Sequence, residues 1–163
     1  MEKKEIKIIY RQAQSAEELS LEDQDLFKKA IEAMGNAYAP YSLFKVGCAL
    51  LLANGEVVKG NNQENMAYPS GLCAERVALF AASANYPGVP VKTLAVVAKP
   101  IADDDSIIVS PCGSCRQVMV EYESIQKEPM KIITGSVSGA IFITDSAHAM
   151  MPLAFFDAGL KKK

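Results

Sequence analysis

Apolar and polar positions along this chain change period several times, and each change predicts an element. In "IKIIYRQ", Ile6, Ile8 and Tyr10 alternate with Lys7 and Arg11, which predicts a first strand with one buried face. Ser20 followed three residues later by Asp23 reads as a capping box; Phe27, Ala30, Ile31 and Met34 then recur at helical spacing until Gly35 and Pro40 stop the run. The segment "KVGCALLLANGEVVKGNN" reads as two strands about Asn54-Gly55, a dipeptide whose readiness to take positive φ suits a tight hairpin. "GLCAERVALFAASANYPG" is helical from about residue 72 to Asn85 and ends at Pro87-Gly88. "KTLAVVAK" is continuously apolar at its centre, as strands buried on both faces are.

Beyond that strand "PIADDDS" reads as an acidic surface loop, and Ser110 with Pro111 suits the N-cap and first position of a third helix carrying "CGSCRQVMVEY". "KIITGS" and "AIFITD" pair about the turn "VSG", and "AMMPLAFFDAGL" predicts a short terminal helix packing through Phe155 and Phe156. This alternation implies an α/β fold, a mixed sheet covered by helices on its faces. At 163 residues the chain is expected to form one domain over 1–163.

Composition narrows the function. With 50% hydrophobic and 22% charged residues the chain has the balance of a folded globular protein. A net charge of -2 offers no electrostatic footprint for nucleic acid, and the tail Lys161, Lys162, Lys163 reads as a solvated end. The longest apolar run, "VGCALLLA", is far below the roughly 20 residues that span a bilayer. "MEKKEIKIIY" has no apolar stretch of signal-peptide length, so a cytoplasmic location is expected. Its four cysteines are then better read as metal ligands, catalytic groups or core residues than as structural disulfides.

"SPCGSCRQ" carries the chemistry. Cys112 and Cys115 after a strand and at a helix start suit a redox dithiol as well as two ligands of one metal, and alone they leave the two readings evenly matched. "CAER" breaks the tie, since a dithiol couple has no use for a third cysteine with a glutamate two residues on, and a catalytic zinc has. Residues three apart on a helix share a face, so Cys112 and Cys115 can both bind one ion at about 2.3 Å. Cys73 supplies a third sulfur and leaves the fourth tetrahedral position for water, the arrangement of catalytic zinc. Positions two apart inside a helix diverge by roughly 200°, so Cys73 and Glu75 share a site only if Cys73 lies at the terminus, where "YPSG" would place it.

"CAERVALF" with "SPCGSCRQV" resembles the zinc-dependent cytidine deaminases, and the likeness extends through "AYAPYSLFKVGCALL", "GNNQENMAY" and "PLAFF", roughly residues 20 to 156. The resemblance implies a three-layer α-β-α sandwich with a mixed, mainly five-stranded sheet, to which residues 1–19 add an extra N-terminal strand. It also implies one Zn²⁺ per chain, a nucleoside substrate, and a homotetramer whose sites are shared between subunits. Cytidine and deoxycytidine would be hydrolysed to uridine and deoxyuridine, with release of ammonia, in pyrimidine salvage.

Glu75 would take a proton from the metal's water, deliver it to N3 of the pyrimidine while hydroxide attacks C4, and then help the amine leave. Three thiolates leave the cluster formally anionic; two helix N-termini and Arg76 would offset this. By the resemblance Arg76 hydrogen-bonds ligand sulfurs and Gln117 supports the metal shell. Asn62 and Glu64, two apart on an extended segment, share a face, and the family's matching pair binds the ribose hydroxyls. Phe44 would lie against the base, Ala74 would offer its backbone N–H to it, and Phe155 would reach a neighbouring subunit's site. Taken without the resemblance, "NQEN" is a polar turn and each phenylalanine a core residue. Leu153 departs from the family's usual "PGAF" ending, Cys48 reads as an inert core cysteine, and His148 lies outside every motif.

Overall fold

A computed structural model describes residues 1–99 and 110–156. Six strands form one mixed sheet in the order β1-β6-β5-β4-β2-β3. These are β1 (Arg11–Ala13), β2 (Lys45–Leu52), β3 (Val57–Asn61), β4 (Val91–Lys99), β5 (Lys131–Ser136) and β6 (Ile141–Thr144). Three helices cover it, α1 (Leu21–Met34), α2 (Ala74–Asn85) and α3 (Gly113–Gln126).

Strand alternation divides the core into two. In β2 and β4, Cys48, Leu50, Leu52, Leu94 and Val96 point to the side on which α2 and α3 pack through Leu79, Met119 and Val120. Ala49, Ala95 and Val97, one residue out of phase, meet Leu26, Phe27 and Ala30 of α1. The result is the expected three-layer α-β-α sandwich, and β4 has no exposed face because both its neighbours and both its layers are occupied. Burying each such Leu or Val removes enough apolar surface to be worth about 1.5–3 kcal/mol.

Local signals act as predicted at most boundaries. Ser20 caps α1, its hydroxyl accepting from the Asp23 N–H at 3.2 Å. Asn54-Gly55 turns the β2–β3 hairpin, with Gly55 at φ 87°.

Three expectations are corrected. The extra N-terminal strand exists at the sheet edge, but it is Arg11–Ala13, and Ile6, Ile8 and Tyr10 are exposed. The ladder ends at Arg11↔Ile143, and β6 continues only one residue further, to Thr144, so it offers no partner strand to Ile6 and Ile8. Tyr10 is left packing on Phe142, ring centroids 5.4 Å apart. At α3 the N-cap is Cys112, not Ser110, whose hydroxyl instead accepts from Arg116 Nη2 at 2.7 Å. Among its described residues the terminal segment forms one 3₁₀ turn, His148–Met150, because Pro152 interrupts it and Leu153 takes a left-handed φ of 60°. The acidic loop and residues 157–163 lie outside the described residues.

Candidate metal centre and cleft

Each of the two sulfur-bearing helices begins at a cysteine. The segment before α2 makes a 3₁₀ turn at Tyr68–Ser70 and a short bridge between Leu72 and Gln63, which delivers Cys73 as N-cap in extended conformation, φ -72° and ψ 154°. An N-cap side chain leaves the helical spiral, so Cys73 and Glu75 can line one cleft despite their spacing. Cys112 caps α3 in the same way, and Cys115 follows within its first turn. Neither cap sulfur makes a capping hydrogen bond to its helix's backbone, and both stand at amide-rich, electropositive ends. Gly60 allows this placement of α2, since a Cβ there would lie 2.6 Å from both Ala74 O and Ala78 N.

The sulfurs converge. Cys73 and Cys112 are 4.0 Å apart, Cys112 and Cys115 3.4 Å, and all three lie within 4.8 Å of one another. Tetrahedral zinc with 2.3 Å bonds separates its sulfurs by about 3.8 Å, so the trio fits one such ion. The third sulfur answers the even match between redox pair and metal site: Cys73 stands where a dithiol would need nothing.

The charges are arranged accordingly. Cys73 is brought down to about 5, first by the hydrogen bond it receives from Cys115, against burial, with Arg76 adding to the pull. Cys115, the donor of that bond, is raised, and burial raises it further. Arg76 Nη2 lies 3.8 Å from Cys73 Sγ and 3.5 Å from Gly71 O. Glu75 is 4% exposed; burial pushes its carboxyl up, its own N–H opposes this, and Cys73 adds to the rise. Behind it, Cys48 is fully buried, and burial followed by the Glu75 charge raises its thiol far above the usual range.

A cleft of about 700 Å³, within the range of small-molecule sites, is lined by Phe44, Asn62, Glu64, Cys73, Glu75 and Cys112 among others. Asn62 is buried; its Oδ1 accepts from Val46 N at 2.8 Å and its Nδ2 donates to Phe44 O at 2.9 Å. Glu64 Oε2 accepts from the N–H groups of Tyr41 and Ser42 at 2.9 and 3.3 Å, and Oε1 from the Ser42 hydroxyl. The Ser42 hydroxyl first, and then the Tyr41 N–H, hold the Glu64 carboxyl below the usual range. Both side chains thus brace residues 41–46 while keeping hydrogen-bonding capacity toward the cleft. Ala74 is the first residue of α2, and its N–H has no acceptor within the helix.

Two of the predicted residues lie outside the lining of this chain's own cleft. Phe155 is 73% exposed and does not line this chain's own cleft. Gln117, expected to support the metal shell, grips the Phe155 backbone: its Nε2 donates to Phe155 O at 2.8 Å and its Oε1 accepts from Phe155 N at 3.1 Å. Sequence reasoning also missed Ser42 and Glu123. Glu123 left a readable signal, a carboxylate interrupting the buried stripe Cys115, Met119, Val120 of α3.

The family model for the cytidine and deoxycytidylate deaminase zinc-binding region matches residues 20–130, which include every sulfur of the trio and Glu75. The chain belongs to this deaminase family. Among curated relatives, the cytidine deaminase of Halalkalibacterium halodurans is 41% identical over 121 residues, 74% of this chain and 85% of that protein. That of Sporosarcina psychrophila is 46% identical over 100 residues, 61% of this chain and 68% of that protein. The crystal structure of cytidine deaminase from Burkholderia pseudomallei superposes with a TM-score of 0.70 at 39% identity, covering 84% of this chain and 100% of that one. As a deaminase of the zinc-binding family, the chain presents its sulfur trio as the metal site that the family requires. Among the described residues, no helix is long and apolar enough to cross a membrane.

Proposed function

We propose that this chain hydrolyses cytidine and deoxycytidine to uridine and deoxyuridine, releasing ammonia, as a cytoplasmic homotetramer in pyrimidine salvage. The observation that carries the reading is the pairing of a three-sulfur centre with a buried carboxylate in one cleft large enough to admit a nucleoside. Zinc held by Cys73, Cys112 and Cys115 would supply Lewis-acid activation of a water.

The remaining work falls to side chains and backbone. Glu75 accepts the water's proton, passes it to N3 of the pyrimidine, and returns a proton to the departing amine. Burial raises its affinity for protons, which suits a group that must both take and give them. The thiolates make the centre anionic, and the two helix N-termini with Arg76 moderate that charge. Phe44 flanks the base and the Ala74 N–H serves as a donor to it. Asn62 and Glu64, braced from behind, present acceptors to the sugar hydroxyls. Phe155, pinned by its backbone and exposed, closes the cleft of a neighbouring subunit.

The test is direct. Purified chain is expected to carry about one zinc and to change the ultraviolet absorbance of cytidine and deoxycytidine, while Glu75→Gln keeps its zinc and loses turnover. Turnover without metal, or undiminished turnover in the variant, removes the assignment.

A further inference from the structure

Glu123 lies roughly two turns beyond Cys115 on α3 and is 6% exposed. Its Oε2 accepts from the backbone N–H groups of Met130 and Ala147, both at 2.7 Å. Its Oε1 accepts from the Ser146 hydroxyl at 2.6 Å and the His148 N–H at 3.2 Å, and faces His148 Nδ1 at 2.6 Å. An ionised carboxylate only accepts, so the ring proton resides on Nδ1. Nearly all of this coordination comes from the segment that follows β6.

That segment is fastened to α3 twice more. Arg116 Nη1 donates to Met150 O at 3.1 Å, while its Nε holds Pro111 O at 2.7 Å. Gln117 takes both the N–H and the C=O of Phe155. Between the last two fastenings Leu153 occupies the left-handed region, which a branched-chain residue keeps only where its surroundings over-determine it. The outcome of three anchorages and one strained turn is a phenylalanine with a fixed backbone and a side chain in solvent.

We propose that Glu123 is a positioning residue: through Ser146 and His148 it sets where the 146–155 strap delivers Phe155 to the cleft of a second copy of this chain. This rests on the deaminase reading above, in which Phe155 completes a neighbour's site. A merely structural staple would hold the strap without any coupling to Phe155.

The experiment uses the full zinc-loaded chain and the variants Glu123→Gln, His148→Ala, Phe155→Ala and the double variant Glu123→Gln/Phe155→Ala. Amide hydrogen exchange at Ala147 and Phe155 is expected to speed up about tenfold in Glu123→Gln, with the Arg116 amide beside Cys115 unchanged. With cytidine, KM rises about fivefold and kcat stays within about twofold. On the Phe155→Ala background the same substitution shifts KM by less than about twofold, since its route of action is already gone. His148→Ala, which keeps the carboxylate and the backbone contacts, gives the same pattern at smaller size and serves if Glu123→Gln folds poorly. Unchanged exchange at Phe155, an undiminished KM effect on the Phe155→Ala background, or zinc loss with a fall in kcat overturns the proposal. A wild-type chain inert toward cytidine removes the deaminase reading alone, and the Phe155 exchange then decides the tether by itself.

Discussion

The floor of the cleft and the C-terminal strap hold their functional groups in opposite ways. On the floor, Cys73, Cys112 and Glu75 are placed by backbone: two helix starts, and a glycine that lets α2 approach β3. In the strap, Phe155 is placed by side chains, the carboxylate of Glu123, the guanidinium of Arg116 and the amide of Gln117. Helix starts in a packed sandwich tolerate little displacement, which suits a metal centre with bond lengths near 2.3 Å. Tethers made by side chains yield more easily, which suits the proposed role of the strap at a second subunit. Damage to the floor should therefore abolish chemistry, and damage to the strap should shift binding.

The largest effect is expected from Cys73→Ala, which removes a sulfur shared by both others: bound zinc falls below about a tenth per chain and turnover with it. Metal analysis beside the absorbance assay measures both. Glu75→Gln comes next, with kcat down about 10³-fold and zinc retained. Were zinc lost as well, the buried carboxylate would be holding the fold and not moving protons.

Gly60→Ala probes how the floor is set. The new methyl must displace α2 backbone at 2.6 Å, costing about 2–3 kcal/mol, and thermal unfolding should drop by several degrees. Zinc affinity falls in parallel if the helix start is what places Cys73.

The strap should respond to acid. Burial pushes the Glu123 carboxyl up, but hydrogen bonds from Ser146, Met130, His148 and Ala147 outweigh it and hold it below the usual range. A depressed folded value means that its contribution is full above the unfolded pKa of about 4.3 and is lost as pH falls through the lower folded value. The difference in melting temperature between wild type and Glu123→Gln should accordingly be constant near neutrality and shrink below about pH 4. A difference that grew with acid would reverse the sign assigned here. Leu153→Gly is expected to do least: relief of the left-handed leucine is worth about 1 kcal/mol and is offset by glycine's unfolded-state entropy.

How much of this could be read from the chain follows from range. Helices, hairpin and central strand were legible because Ser20, Asn54-Gly55 and the apolar run of β4 act through neighbours or through simple burial. The metal centre was legible too, because a sulfur trio with an adjacent glutamate has few chemical uses. The first strand's length and the end of the chain were not, since each depends on a distant partner: β6 for Arg11–Ala13, Glu123 and Gln117 for the strap. The cap of α3 was misjudged within its own stretch, where Arg116, six residues on, takes the Ser110 hydroxyl.

By itself, then, the order of residues determined which groups could do chemistry here and which periodicities would fold. Only the tertiary structure decided that two helix starts bring the sulfurs to bonding distance, and that Gln117 holds the Phe155 backbone. Side-chain identity is local information, whereas a hydrogen-bond partner across the fold is chosen by packing that no stretch of sequence contains.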